Sequence, residues 1–132
     1  MQFTIPLLAL VASASASMGS WNVTIEKYAY ANGYSMQTVN AQFVSDSYLD
    51  GLFSNCTTIS NPVDPSTNID ACIPLDFSYN YDGTTLKVQQ NIQKPNPGVT
   101  VFGEAPLELK GADAVGRHFK GNAIFDVTRA IA

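Results

Sequence analysis

Leu75-Asp76-Phe77-Ser78-Tyr79-Asn80-Tyr81-Asp82-Gly83-Thr84-Thr85-Leu86-Lys87-Val88-Gln89-Gln90-Asn91-Ile92 is the stretch on which the fold turns. Leu75, Phe77 and Tyr79 alternate with Asp76, Ser78 and Asn80; beyond Asp82-Gly83, Leu86, Val88 and Ile92 alternate with Lys87, Gln89 and Asn91. Successive side chains of a strand point to opposite faces. Two such runs on either side of an Asp-Gly pair therefore predict a β-hairpin with one face in a core. Gln90 is the polar exception on the inward face.

The same period continues outward. Trp21-Asn22-Val23-Thr24-Ile25-Glu26 alternates large apolar with polar residues, and Val39, Ala41 and Phe43 share one face of a strand expected over Met36 to Val44. Asn32-Gly33 marks a turn between them. Asp50-Gly51 is expected to break Tyr48 to Phe53 as a hairpin pair, with Leu52 to Ile59 returning as the next strand. Asn61 to Asp70, with Pro62 and Pro65, reads as a loop. On the C-terminal side, Lys94 to Gly98 connects to a strand starting at Val99, which Gly103 to Pro106 is expected to interrupt or bulge before Leu107 to Leu109. Gly111 to Gly116 is a small-residue loop with room for a helical turn, and Asn122 to Arg129 is a last strand buried on part of both faces. No long window repeats at helical spacing, and 7 prolines and 9 glycines punctuate the chain. The expected fold is all-β, an antiparallel β-sandwich or small β-barrel of about eight strands.

At 132 residues, with 45% hydrophobic and 14% charged, the chain suits one compact domain and not a disordered one. A net charge of -4 excludes nucleic acid as the expected partner, because phosphate binding needs a concentrated basic face. Met1 to Ala16 carries no charged side chain. Its apolar run, Ile5 to Ala12, is too short to span a bilayer and ends at Ala14-Ser15-Ala16, the small-x-small pattern of a signal-peptidase site. Residues 1–16 are thus read as a secretory signal and 17–132 as a single β-rich domain, secreted to the extracellular space, with no membrane contact after signal removal. Charge divides the mature chain. Lys27 is the one base before Leu86, whereas Lys87, Lys94, Lys110, Arg117, Lys120 and Arg129 follow it. Either the surface is dipolar, or the sheets interleave the halves and the asymmetry averages out.

Export puts Cys56 and Cys72 in an oxidising compartment. An even count with no spare favours one intramolecular bridge, two free buried thiols being the alternative. Asn22-Val23-Thr24 and Asn55-Cys56-Thr57 are N-glycosylation sequons. The half-cystine inside the second makes Asn22 the better acceptor.

Catalytic sets are thin. His118 is the only histidine. A ribonuclease would need it as general acid, Glu104 or Glu108 as base and Arg117 as phosphate clamp, a set too ordinary to specify an enzyme. Asp64, Asp70 and Asp76 lack calcium-loop spacing, one His and two cysteines make a poor zinc set, and no nucleophile elbow or phosphate-cradling loop occurs, so no catalytic residue, metal or cofactor is expected. Tyr28, Tyr30, Tyr34, Tyr48, Tyr79 and Tyr81 are divided between core packing and contact area for a partner. The readings left open are a binding protein, a small hydrolase such as an RNase using His118, and a carrier of a small apolar ligand.

The order of weak motifs is more informative than any one of them. An Ala-rich signal precedes Trp21, Val23 and Ile25. A Tyr-rich stretch and a Cys-bounded loop lead into Cys72-Ile73-Pro74-Leu75-Asp76-Phe77-Ser78-Tyr79, then Gly83-Thr84-Thr85-Leu86-Lys87-Val88 and a closing Gly121-Asn122-Ala123-Ile124-Phe125-Asp126-Val127-Thr128. This resembles the Alternaria major allergen family of small fungal secreted proteins over essentially the whole mature chain. The resemblance implies a β-barrel-like sandwich and a non-enzymatic allergen or effector. Such a protein binds a host extracellular protein, for some members a thaumatin-like pathogenesis-related protein, and modulates plant defence. It also matches Cys56 and Cys72 to the family's bridge across the central loop. The second bridge near the C-terminus has no counterpart, since no cysteine follows Cys72. No cysteine precedes the first strand either, which excludes the covalent dimer of some members and leaves a monomer or non-covalent dimer.

Overall fold

A computed structural model describes residues 18–30, 33–112 and 117–132. The expected signal segment, Met1 to Ala16, lies outside the described residues. The strands are β1 (Ser20–Ala29), β2 (Ser35–Ser45), β3 (Tyr48–Ser60), β4 (Ile69–Ile73), β5 (Phe77–Tyr81), β6 (Thr85–Ile92), β7 (Val99–Pro106), β8 (Lys110–Ala112), β9 (His118–Asp126) and β10 (Arg129–Ile131). Two antiparallel sheets result, in the orders β4-β3-β2-β1-β9-β8 and β10-β7-β6-β5. The architecture is a sandwich, not a closed barrel. The strands beyond the expected eight are short ones at sheet margins.

Alternation decides what lies between the sheets. Trp21, Val23 and Ile25 of β1, Val39, Ala41 and Phe43 of β2 and Cys56 of β3 are buried together with Phe77, Leu86, Val88, Ile92 and Val101 of the smaller sheet. Gln90 is buried on the same inward face, as its place in the pattern requires, and Trp21 Nε1 donates to its Oε1 at 3.0 Å. A buried amide is tolerated only with a partner, and this bond gives both polar groups one across the core. The indole is held by Phe43 and Phe125, with ring centroids 5.3 and 5.6 Å away. It also lies against the backbone of β7, where a Cβ on Gly103 would come within 2.6 Å of the ring. Gly103 is therefore a packing requirement of Trp21 and does not break the strand. β7 stays in register with β6 through Gly103 to Pro106, contrary to the interruption expected there.

Other boundaries differ from expectation for similar reasons. The β2–β3 turn falls at Asp46 and Ser47, and β3 runs on through Asp50-Gly51, where the register shifts between Phe43 and Ser45 and Gly51 takes a φ of +88°. The Asp-Gly pair thus serves an irregularity within a paired strand and makes no hairpin turn. The loop after Asn61 is shorter than expected, because Ile69 and Asp70 already pair with Ile59 and Thr58. Leu75 was expected inward with Phe77, yet it is 89% exposed: it sits in the turn before β5 begins. Gly111 lies in β8, and 113–116 fall outside the described residues. The last strand is two, and it does not bury part of both faces. Ile124 of β9 is exposed, while Val127 is fully buried where the chain crosses from one sheet to the other, its N–H bonded to Gly19 O and that of Thr128 to Phe102 O. This crossing sets β9 beside β1, so the basic C-terminal half interleaves with the acidic N-terminal half.

Gly103→Ala is expected to lose about 1–3 kcal/mol, the usual cost of forcing a methyl into a packed interior. Urea denaturation followed by Trp21 fluorescence measures it.

Candidate functional site

The outward residues of the larger sheet make its exposed face. Register aligns them in rows across the strands: Ile124, Asn22, Gln42 and Phe53 in one, then Asn122, Thr24, Asn40, Asn55 and Ile73, then Lys120, Glu26, Thr38, Thr57 and Ala71, and last His118, Tyr28, Met36, Ile59 and Ile69. The middle of the face is a floor of amides and hydroxyls. Asn122 Nδ2 lies 2.7 Å from Asn22 Oδ1 and 3.0 Å from Thr24 Oγ1, and Asn55 Nδ2 donates to Asn40 Oδ1 at 2.6 Å. These bonds turn much of the floor's hydrogen-bonding capacity inward on the floor itself. A shallow cavity of about 440 Å³ opens over it, walled by Phe53 and Ile73. Phe53 is 68% exposed and Ile73 75%, and Ile124, on β9, is equally open.

Both sequons meet here. Asn22 and Asn55 line the same cavity and are exposed, so a glycan on either would lie over this face. Asn55 uses its amide nitrogen on Asn40, whereas no hydrogen bond among the described residues engages that of Asn22.

Cys56 and Cys72 form a disulfide and are direct register partners on β3 and β4, with Cα atoms 4.0 Å apart. Cys56 is in the core and Cys72 packs against it, so the sulfurs lie on the inner face while Phe53, Asn55 and Ile73 are held on the outer one. The bridge staples the marginal strand β4 to its neighbour, close to the exposed apolar residues.

The ribonuclease constellation is not assembled. Glu104 is on the outer face of the smaller sheet, on the far side of the sandwich from His118, and Glu108 lines a depression with Tyr81 and Lys27. Arg117 supplies its carbonyl to Ala29 N–H and keeps an exposed side chain. The carboxylate beside His118 is one that sequence reading missed: Glu26 Oε2 lies 3.4 Å from His118 Nε2. Tyr28 donates its hydroxyl to the same oxygen at 2.8 Å, Lys120 Nζ is 3.5 Å from Oε1, and the Tyr28 and His118 rings stack with centroids 4.4 Å apart. The Tyr28 hydrogen bond holds the Glu26 carboxyl below its ordinary range; partial desolvation opposes this, and Lys120 and His118 reinforce it. Glu26 is therefore ionised at neutral pH, held by the Tyr28 hydroxyl and close to Lys120. Among the described residues no group of three or more His, Cys, Asp and Glu could hold a metal.

No known protein family, curated protein or solved structure matches the chain.

Replacing both cysteines by alanine is expected to cost about 3 kcal/mol on chain-entropy grounds, with the β4 amides losing hydrogen-exchange protection first. Urea denaturation and amide exchange read the two effects.

Glu26 is more acidic folded than unfolded, so the stability it adds is present at neutral pH and lost as pH falls through its folded pKa. Tyr28 is shifted upward, first by the Glu26 hydrogen bond. Glu26→Gln should therefore narrow the stability difference from wild type in acid, and should move the Tyr28 titration down toward its ordinary value. Thermal melts against pH and NMR of the Tyr28 ring test both.

Proposed function

We propose that the chain is an exported, non-catalytic binding protein: a secreted fungal effector or allergen of the kind its resemblance implies. It docks on a folded protein outside the cell, a thaumatin-like pathogenesis-related protein of a plant host by that resemblance, and so modulates plant defence. One observation carries the reading: Phe53 and Ile73 stand exposed at a disulfide-stapled sheet margin, with Leu75 following in the next turn. Large apolar side chains held out on rigid strands are costly in water and valuable in an interface, where they serve as anchors with little ordering left to do. The polar floor beside them suits the rim of such a contact.

Several features favour this reading over the others. The space between the sheets is filled by side chains, which supports a surface function over a carried apolar ligand. The single histidine lies against Glu26 and stacks on Tyr28, on the opposite side of the sandwich from Glu104, which favours binding over hydrolysis. The bridge and the sequons on an exposed face suit a protein that works outside the cell.

The test is binding to a purified thaumatin-like protein by surface plasmon resonance, with Phe53→Ser and Ile73→Ser. Burying either side chain supplies about 1.5–3 kcal/mol, so each change should weaken binding at least about tenfold, while thermal stability stays near wild type. Wild-type protein that fails to bind, or variants that bind undiminished, would count against the proposal.

A further inference from the structure

The opposite side of the sandwich has a different character. Two adjoining rows of outward residues cross the smaller sheet, Asn80, Lys87 and Glu104 in one and Ser78, Gln89, Phe102 and Arg129 in the other, with Asn91, Thr100 and Ile131 in the next. The first two line a groove of about 700 Å³, larger than the cavity on the first face. The side-chain pairing of the first face recurs only beyond these two rows, where Asn91 Nδ2 lies 3.4 Å from Thr100 Oγ1. Among the described residues, no hydrogen bond or ion pair engages the side chains of Ser78, Asn80, Lys87, Gln89 or Glu104. The one contact within the rows is the Arg129 guanidinium stacked 4.3 Å from the centre of the Phe102 ring.

We propose that this groove is a binding site for an oligosaccharide, independent of the protein-docking face. The lining mixes free donors (Lys87, Arg129), a free acceptor (Glu104) and groups that do both (Asn80, Gln89, Ser78), set out at the strand spacing of about 4.8 Å. A sugar ring presents hydroxyls that donate and accept around its rim, and C–H groups on its faces. The hydroxyls match the mixed lining. The C–H face matches the Phe102–Arg129 pair at the β10 end of the rows. Other ligand classes fit less well. Two cations against one carboxylate fall short of the basic density that nucleic acid needs. An apolar ligand would need apolar walls. An extended peptide recognised through its backbone would need a free sheet edge, and this is a face.

The site is tested by titrating uniformly 15N-labelled protein with cellohexaose, xylohexaose, laminarihexaose and chitohexaose and following the amide spectrum. At least one of them is expected to give saturable shifts confined to the backbone amides of Asn80, Gln89, Phe102 and Glu104 and the side-chain amides of Asn80 and Gln89, with a Kd at or below ~1 mM. Phe102→Ala and Gln89→Ala should each weaken that binding about tenfold or more. Gln89 is exposed and unbonded, so its variant keeps the fold even if Phe102→Ala does not. Phe53→Ser, on the other face, should leave sugar binding unchanged, which separates this site from protein docking. Absence of saturable shifts with every one of the sugars, shifts located elsewhere, or undiminished binding by Gln89→Ala would overturn the assignment.

Discussion

The indole of Trp21 is the element to which the two sheets are fitted. It belongs to β1, the strand that pairs with both β2 and β9, and it reaches across the core to hydrogen-bond Gln90 and to rest on the backbone of β7 at Gly103. A hydrogen bond between buried side chains has a direction, which hydrophobic contact does not. Shifting β6 by one residue would turn Gln90 outward and leave the indole N–H unpaired, so this bond helps to fix the register of one sheet against the other. The glycine fixes their separation at the same point. Between them they decide which residues of each sheet face solvent, and the two outer faces are consequences of that choice.

Those faces solve the problem of a polar sheet surface in different ways. On the larger sheet, asparagine, threonine and glutamate side chains are bonded to one another or to Tyr28, and the apolar residues most exposed around them include Phe53, Ile73 and Ile124. On the smaller sheet the polar groups that line the groove are left to solvent beside an aromatic–cation pair. The first surface gains most by covering apolar area. The second has donors and acceptors to spare for the oligosaccharide proposed to bind there.

Much of the fold could be read in the sequence because alternation is a local property. The hairpin around Asp82-Gly83, the inward set of Trp21, Val23 and Ile25, and the anomalous Gln90 all followed from period alone. Two of the errors share an origin: glycine and Asp-Gly signals report local freedom of the backbone, not the reason for it. Gly103 makes room for a ring 82 positions away in the chain, and Gly51 serves a bulge within a paired strand. The surface was less legible. His118 meets Glu26, and Asn122 meets Asn22, only because β9 lies beside β1, and nothing within either segment announces that pairing.

A sandwich, unlike a barrel, keeps open margins, here β4 and β8 on one sheet and β5 and β10 on the other. Each is an unfinished ladder onto which a second chain could add and begin a filament. β8 and β10 are three residues long, too short to template growth. β4 is longer and bears exposed isoleucines at both ends, but the cystine welds it to the strand behind it, so it cannot peel away and be exchanged between molecules. The same covalent link that presents a sticky surface therefore also opposes the strand exchange by which such molecules would be linked to one another.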